Sequence, residues 1–210
     1  MDMNKNLVSL KLAQKLTNYT QDEILKIFRE QDQPKMKQIR KAMKDTYGLT
    51  YFDFSAAMTL EDMRDKILQT EEETGNKIKL VVVDYAGRIV SDKADSYANA
   101  KYNALKSVEV AGDTEAAWLI LTQISRNSGD GSSPIRTKRA AKDSGDWEES
   151  ATNVITLWRP FMGGDATDNP NWTDDVMRVY LAKNRMGAEL EQPLYWNGAK
   201  GIVRDLTPTE

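Results

Sequence analysis

Two apolar runs in this 210-residue chain end in polar residues suited to chemistry. Ile78-Lys79-Leu80-Val81-Val82-Val83 leads into Asp84, and Ala117-Trp118-Leu119-Ile120-Leu121-Thr122 leads into Gln123. A carboxylate at the end of a hydrophobic strand is how a nucleotide site holds magnesium, usually through water. A Gln at the end of the neighbouring strand can sense a terminal phosphate or position water. Each residue alone reads equally well as a strand-terminal cap, and the pair is more specific than either member. Further along, Lys183 and Arg185 stand two apart on a predicted strand, so they point to one face. A guanidinium fixed there suits charge developing on a transferred phosphoryl group, with a solvated charged edge as the plainer alternative. Arg126, Arg136, Lys138, Arg139 and Lys142 gather among Gly and Ser residues. Such a run is either an exposed loop or a track for the phosphates of a single strand. Asp143, Asp146, Glu148 and Glu149 dilute its charge, which favours backbone and geometric contacts over a strong electrostatic funnel.

Composition narrows the chemistry. The chain has no Cys and no His, which excludes thiol nucleophiles, disulfides, zinc fingers, imidazole bases and Ser-His-Asp triads. Carboxylates, Lys, Arg, Tyr, hydroxyls and a hard cation held by oxygen remain, and phosphoryl transfer with magnesium fits that set. The 29 Lys and Arg against 32 Asp and Glu leave nucleic acid open, because a local basic patch is hidden in the sum. No stretch approaches the roughly 20 apolar residues of a membrane helix. The opening Met1-Asp2-Met3-Asn4-Lys5 has no signal-peptide pattern, so a cytoplasmic location is the expectation.

The elements that would position these residues alternate along the chain. Leu7, Leu10, Leu12 and Leu16 predict a first helix. Thr20 with Glu23 caps a second, carrying Ile24, Leu25, Ile27 and Phe28, and Pro34 opens a third that runs through Met43 and ends at Gly48. Residues 50–54 predict a short strand. Thr59 caps a helix from Leu60 to about Glu73, stopped by Gly75. Ile78 to Asp84 reads as a parallel strand covered on both faces. A helix over 96–110, a strand over 117–123, a short helix at Trp147 and a strand over 154–158 follow. A strand over 176–182 and hairpins near 194–196 and 202–203 close the chain. Met36, Met43, Met58 and Met63, and also Trp147, read as packing residues. The length and the alternation predict one α/β domain with a mostly parallel, helix-covered sheet and C-terminal antiparallel hairpins. In such sheets ligands bind beyond the carboxyl ends of the strands.

Five segments in order carry a resemblance. Leu80-Val81-Val82-Val83-Asp84-Tyr85 resembles the Walker B strand of RecA-like ATPases, in the form seen in DnaB-type replicative helicases. Leu121-Thr122-Gln123-Ile124-Ser125-Arg126 is similar to the motif whose Gln senses the γ-phosphate. Lys142-Asp143-Ser144-Gly145-Asp146-Trp147-Glu148 resembles the loop-to-helix segment that grips the DNA backbone. Ala182-Lys183-Asn184-Arg185-Met186-Gly187 is similar to the closing motif, whose Lys and Arg reach a neighbouring subunit's nucleotide. The opening, Met1 to Leu7, resembles the piece after the second strand, where the family usually has a catalytic Glu. Here that position is Asp2, one methylene shorter, which weakens it as a base.

The resemblance implies a RecA-like three-layer fold and the C-terminal motor portion of a hexameric replicative helicase of phage or bacterial type. That portion would begin after the P-loop and second strand, and no G-x-x-x-x-G-K-[ST] sequence is present. The implied cofactors are ATP and Mg²⁺. Asp84 holds the ion through water, Asp84, Tyr85 and Gln123 form the nucleotide contacts, and Asp2, Gln123, Lys183 and Arg185 serve catalysis, the last two in trans. Arg126, Arg136, Lys138, Arg139, Lys142, Asp143 and Gly145 would face single-stranded DNA. A homohexameric ring, with primase or a helicase loader as further partners and no membrane, completes the expectation. A RadA- or RecA-like recombination ATPase, and a non-catalytic ring or assembly subunit that has lost nucleotide binding, stay open as alternatives.

Overall fold

The computed structural model describes residues 5–93, 95–123, 145–159 and 174–207. Its first part is helical: α1 (Lys5–Thr17), α2 (Gln21–Arg29) and α3 (Gln33–Tyr47). Thr20 and Glu23 cap α2 reciprocally, with the Thr20 amide donating to the Glu23 carboxylate at 2.6 Å. Asp32 caps α3, and Pro34 sits in its first turn, where a missing N–H costs nothing. The three helices close over Ala13, Ile24, Ile27, Met36 and Ile39, with Met43 packed alongside. Gly48 ends α3 in a right-handed conformation, not the left-handed one usual for a terminal glycine. Its reason is space, because a Cβ there would lie 2.5 Å from the Lys44 carbonyl oxygen.

Residues 50–54, expected as a strand, form none. Tyr51, Phe52 and Phe54 are exposed there, and the rings of Phe52 and Phe54 stack 6.2 Å apart. Aromatic β-propensity reflects packing against a neighbouring strand, and among the described residues this segment has none. Thr59 and Asp62 then box the start of α4 (Leu60–Thr74), and Gly75 ends it in the left-handed region at φ 68°. Buried Glu71 accepts from Lys77 Nζ at 2.6 Å and from the Ile78 amide at 2.8 Å, tying the helix end to the next strand's approach.

That strand, β1 (Leu80–Val83), pairs in parallel with β2 (Ala117–Ile120) across α5 (Ser96–Thr114), with Val83 opposite Ile120. One face of the pair is core. Val83 clusters with Leu60 of α4, Ile89 and Val110 of α5, and Met63, Val81, Trp118, Ile120 and Trp147 pack around them. The other face is open among the described residues, with Leu80 58% and Val82 55% exposed. The burial of this strand on both faces read from its apolar run is therefore half realised. Alternation supplies the reason: in a strand, Leu80 and Val82 point opposite to Val81 and Val83.

The remaining described residues form α6 (Asp146–Ser150) and four strands, β3 (Asn153–Trp158), β4 (Val176–Asn184), β5 (Leu190–Asn197) and β6 (Ile202–Asp205). They form an antiparallel sheet in the order β3-β4-β5-β6. Among the described residues the mixed α/β architecture thus holds one parallel pair and one antiparallel ladder, the latter extending the two expected hairpins back to β3. Gln14, buried in α1, reaches this ladder by donating to the Ala199 carbonyl oxygen at 2.8 Å.

Candidate functional site

Parallel pairing puts the carboxyl ends of β1 and β2 at one edge. The Leu121 amide donates to the Val83 carbonyl oxygen at 3.0 Å, and the Ala86 amide donates to the Leu121 carbonyl oxygen at 2.7 Å. The two strand exits are therefore stitched together through Ala86. Asp84 lies inside that stitch and Gln123 lies two residues beyond it. Both are exposed, and among the described residues neither side chain has a hydrogen-bond partner. Magnesium keeps several waters and takes one or two carboxylates together with substrate phosphates. An exposed, uncommitted carboxylate suits that ion in the company of a nucleotide. Among the described residues no cluster of three or more acidic side chains offers a cage of its own.

Tyr85 follows in a cis peptide with Asp84 and leads into a 3₁₀ turn over Ala86–Arg88. Its ring lies against Gly87, where a Cβ would meet Tyr85 Cε2 at 2.4 Å. The Arg88 guanidinium stands 6.0 Å from the ring centroid, and Arg88 Nη1 donates to the Ala56 carbonyl oxygen at 3.0 Å. This turn is held from below by Ile89, whose carbonyl oxygen accepts from the buried Asn103 at 3.1 Å.

Lys183 and Arg185 behave differently. Lys183 lies in β4 opposite Val154, while Arg185 lies just past the strand end. Their side chains do reach one place, as expected from their spacing. Lys183 Nζ donates to the Glu148 carbonyl oxygen at 2.6 Å and to that of Glu149 at 2.9 Å. Arg185 Nη2 donates to the Glu149 carbonyl oxygen at 2.8 Å, and its amide donates to the Thr152 carbonyl oxygen at 3.2 Å. These carbonyls are among those a helix leaves without partners at its C-terminus, where the backbone dipoles favour a cation. Neither side chain is a merely solvated edge charge.

The short helix α6 packs along α5 and is held at both ends of its length. Trp147 packs against the core cluster of Leu60, Val83, Ile89 and Val110, and the C-terminal carbonyls meet Lys183 and Arg185. Gly145 precedes it as N-cap with no side-chain bond, and a Cβ there would meet nothing within 4 Å. Sequence reasoning singled out the cations and not their acceptors. Backbone carbonyls carry no residue signature, so only the proximity of α6 to β4 reveals them. Asp2, Arg126, Arg136, Lys138, Arg139, Lys142 and Asp143 lie outside the described residues.

Comparisons with known proteins add the lineage. The family model of the DnaB-like helicase C terminal domain matches residues 1–202. Among solved structures the chain is similar to a DnaB-like replicative helicase described with its interactions with primase. The TM-score is 0.80 at 20% identity, over 98% of this chain and 49% of that one. It is also similar to a second solved structure, an ATPase domain, with a TM-score of 0.76 at 18% identity, over 98% of this chain and 72% of that one. At such identities the likeness is one of fold. The chain spans about half the length of the first of these structures. A comparison with curated proteins gives no match.

Proposed function

Because the chain belongs to the family of DnaB-like helicase C-terminal domains, we propose that it is the C-terminal motor portion of an ATP-dependent replicative helicase. In this reading residues 1–210 are one portion of a RecA-like ATPase domain, and the phosphate-binding loop comes from polypeptide outside them. The complete protein works as a hexameric ring that couples ATP hydrolysis at subunit interfaces to movement along single-stranded DNA. The observation that carries the reading is the shared edge of β1 and β2. It presents Asp84 and Gln123 at neighbouring strand exits, exposed and, among the described residues, without partners.

Bound ATP supplies the γ-phosphoryl group, and Mg²⁺ neutralises its charge. The residues of this chain orient both. Asp84 would hold the ion, Gln123 would offer its amide to the terminal phosphate or to the attacking water, and the Tyr85 turn flanks the strand exit. Lys183 and Arg185 serve the neighbouring subunit's phosphates, where a guanidinium meets charge that peaks in the transition state. Asp2 is the candidate base in this reading. The 126–145 stretch, with Arg126, Arg136, Lys138, Arg139, Lys142, Asp143 and Gly145, follows the DNA backbone. Primase or a loader is the further partner in this reading. The helicase-family match over residues 1–202 favours it over a recombination ATPase.

The test is Mg²⁺-dependent, single-strand-stimulated ATP hydrolysis by the complete protein. Asp84→Ala is expected to abolish turnover while the protein stays folded. Turnover undiminished in that variant refutes the assignment, and a complete protein that binds no nucleotide favours the non-catalytic ring subunit.

A further inference from the structure

The two cations assigned to a neighbour's phosphates are already engaged within their own chain, and their acceptors belong to the helix that directly follows the 126–145 stretch. Lys183 Nζ has three donors, two of which go to the Glu148 and Glu149 carbonyl oxygens. Arg185 adds a bond to Glu149. Helix α6 has only five residues, too short to hold its shape by its own ladder. It also packs along α5, seats Trp147 in the core and buries Glu148, and the amides of Glu149 and Ala151 donate to the Gly145 and Trp147 carbonyl oxygens at 3.0 Å each. The two cations are what meets the carbonyls of Glu148 and Glu149 at its C-terminal end.

We infer that α6 and the neighbouring subunit's phosphates compete for Lys183 and Arg185, so that engaging a phosphate uncaps the C-terminal end of α6, the helix adjoining the DNA-facing stretch. This inference rests on the trans role proposed above and adds its regulation. Both acceptors are anionic or partly anionic oxygens, and the same few N–H donors cannot serve both in full. Phosphate oxygens carry full charge and carbonyls only a partial one, so a bound phosphate wins the donors. The uncapped α6 keeps Trp147 as its pivot, packed against the core cluster that also holds Val83, the residue before Asp84. A nucleotide state at one interface is thereby reported to the element adjoining the single-strand contact in the subunit that supplies the cations.

Amide hydrogen exchange of the 210-residue chain tests this without any need for turnover. The probe is inorganic triphosphate with Mg²⁺, whose binding is followed separately by phosphorus NMR. Lys183→Gln with Arg185→Gln is expected to speed exchange at Glu149 and Ala151 by roughly tenfold, the scale of losing charge-assisted bonds at a helix end. The amides of β1 and β2 should not change. Saturating triphosphate is expected to produce the same acceleration in the unmodified chain and none in the double variant. Arg185→Gln alone, which retains the Lys183 bonds, should fall between. Unchanged exchange in the double variant overturns the cap. Triphosphate that binds through the pair, and leaves α6 exchange untouched, overturns the competition. Triphosphate binding equally well in the double variant removes the phosphate role of the pair, and that outcome counts against the trans reading itself even where the cap survives.

Discussion

Asp84 and Gln123 at the ends of β1 and β2 are exposed and have no partner among the described residues, whereas Lys183 and Arg185 at the end of β4 are bonded to α6. The same contrast runs through the packing. Among the described residues the β1–β2 pair is covered on one face, with Leu80 and Val82 open, while β4 lies inside a four-stranded ladder with Val176 and Ala182 buried. The acidic half of the proposed site is thus uncommitted and the cationic half occupied. A half-site that receives a ligand needs free oxygens, and a half-site that acts on another subunit needs its cations held until that subunit arrives.

The largest expected effect lies where the halves should meet. In the complete protein, Arg185→Ala should lower turnover by about a thousandfold or more with nucleotide affinity nearly intact, since a finger acts on transition-state charge. Mixing these subunits with subunits carrying Asp84→Ala should restore part of the ATPase activity. In the mixed ring some interfaces pair an intact Asp84 with an intact Arg185. Rings shown to have mixed but still inactive would place Arg185 in its own subunit's site and end the division into halves. By the same logic the 210-residue chain alone should hydrolyse ATP no faster than buffer, because phosphate affinity cannot rest on Asp84 without a P-loop. Magnesium-dependent turnover by this chain, lost in Asp84→Ala, would count against that.

The next effect concerns the two faces of β1. Leu60→Ala, beneath the strand and fully buried, should cost about 2–5 kcal/mol in urea unfolding. Val82→Thr, on the open face, should change stability by no more than about 0.5 kcal/mol. Equal costs would show that the open face is covered in solution. A smaller change is expected for Arg136→Ala with Lys138→Ala and Arg139→Ala. In the complete protein these should weaken single-strand binding and flatten its salt dependence by about one counterion term per lost contact. An unchanged slope would leave these cations solvated.

The smallest effect involves pH. Lys66 and Ser55 hydrogen-bond the Asp53 carboxylate and hold its pKa at about 2. An unfolded Asp titrates near about 3.9, so the depressed value stabilises the fold at higher pH. That contribution is complete above the unfolded value and fades as pH falls toward 2. Asp53 is partly exposed, so Asp53→Asn should cost less than about 1 kcal/mol at neutral pH and almost nothing near pH 2. A cost that persists at low pH would assign it to packing.

Local signals were legible where the chain satisfies itself. Thr20 with Glu23, Thr59 with Asp62, Pro34 and Gly75 mark helix ends by bonds or dihedrals that lie within a few residues. The apolar runs before Asp84 and Gln123 likewise announce strands through side-chain type alone, and the motif order announces the family. Contacts between distant residues were not legible in the same way. The segment 50–54 has strand composition but no partner among the described residues, Val82 belongs to a buried-looking run yet faces outward, and Lys183 and Arg185 look like solvated or trans-acting cations. Only the tertiary approach of the end of β4 to α6 decides that they meet the carbonyls of Glu148 and Glu149. Caps and periodicity are set by near neighbours along the chain, whereas strand pairing, the covering of a sheet face and bonds to backbone oxygens depend on which distant segment arrives, and that is decided by the tertiary fold.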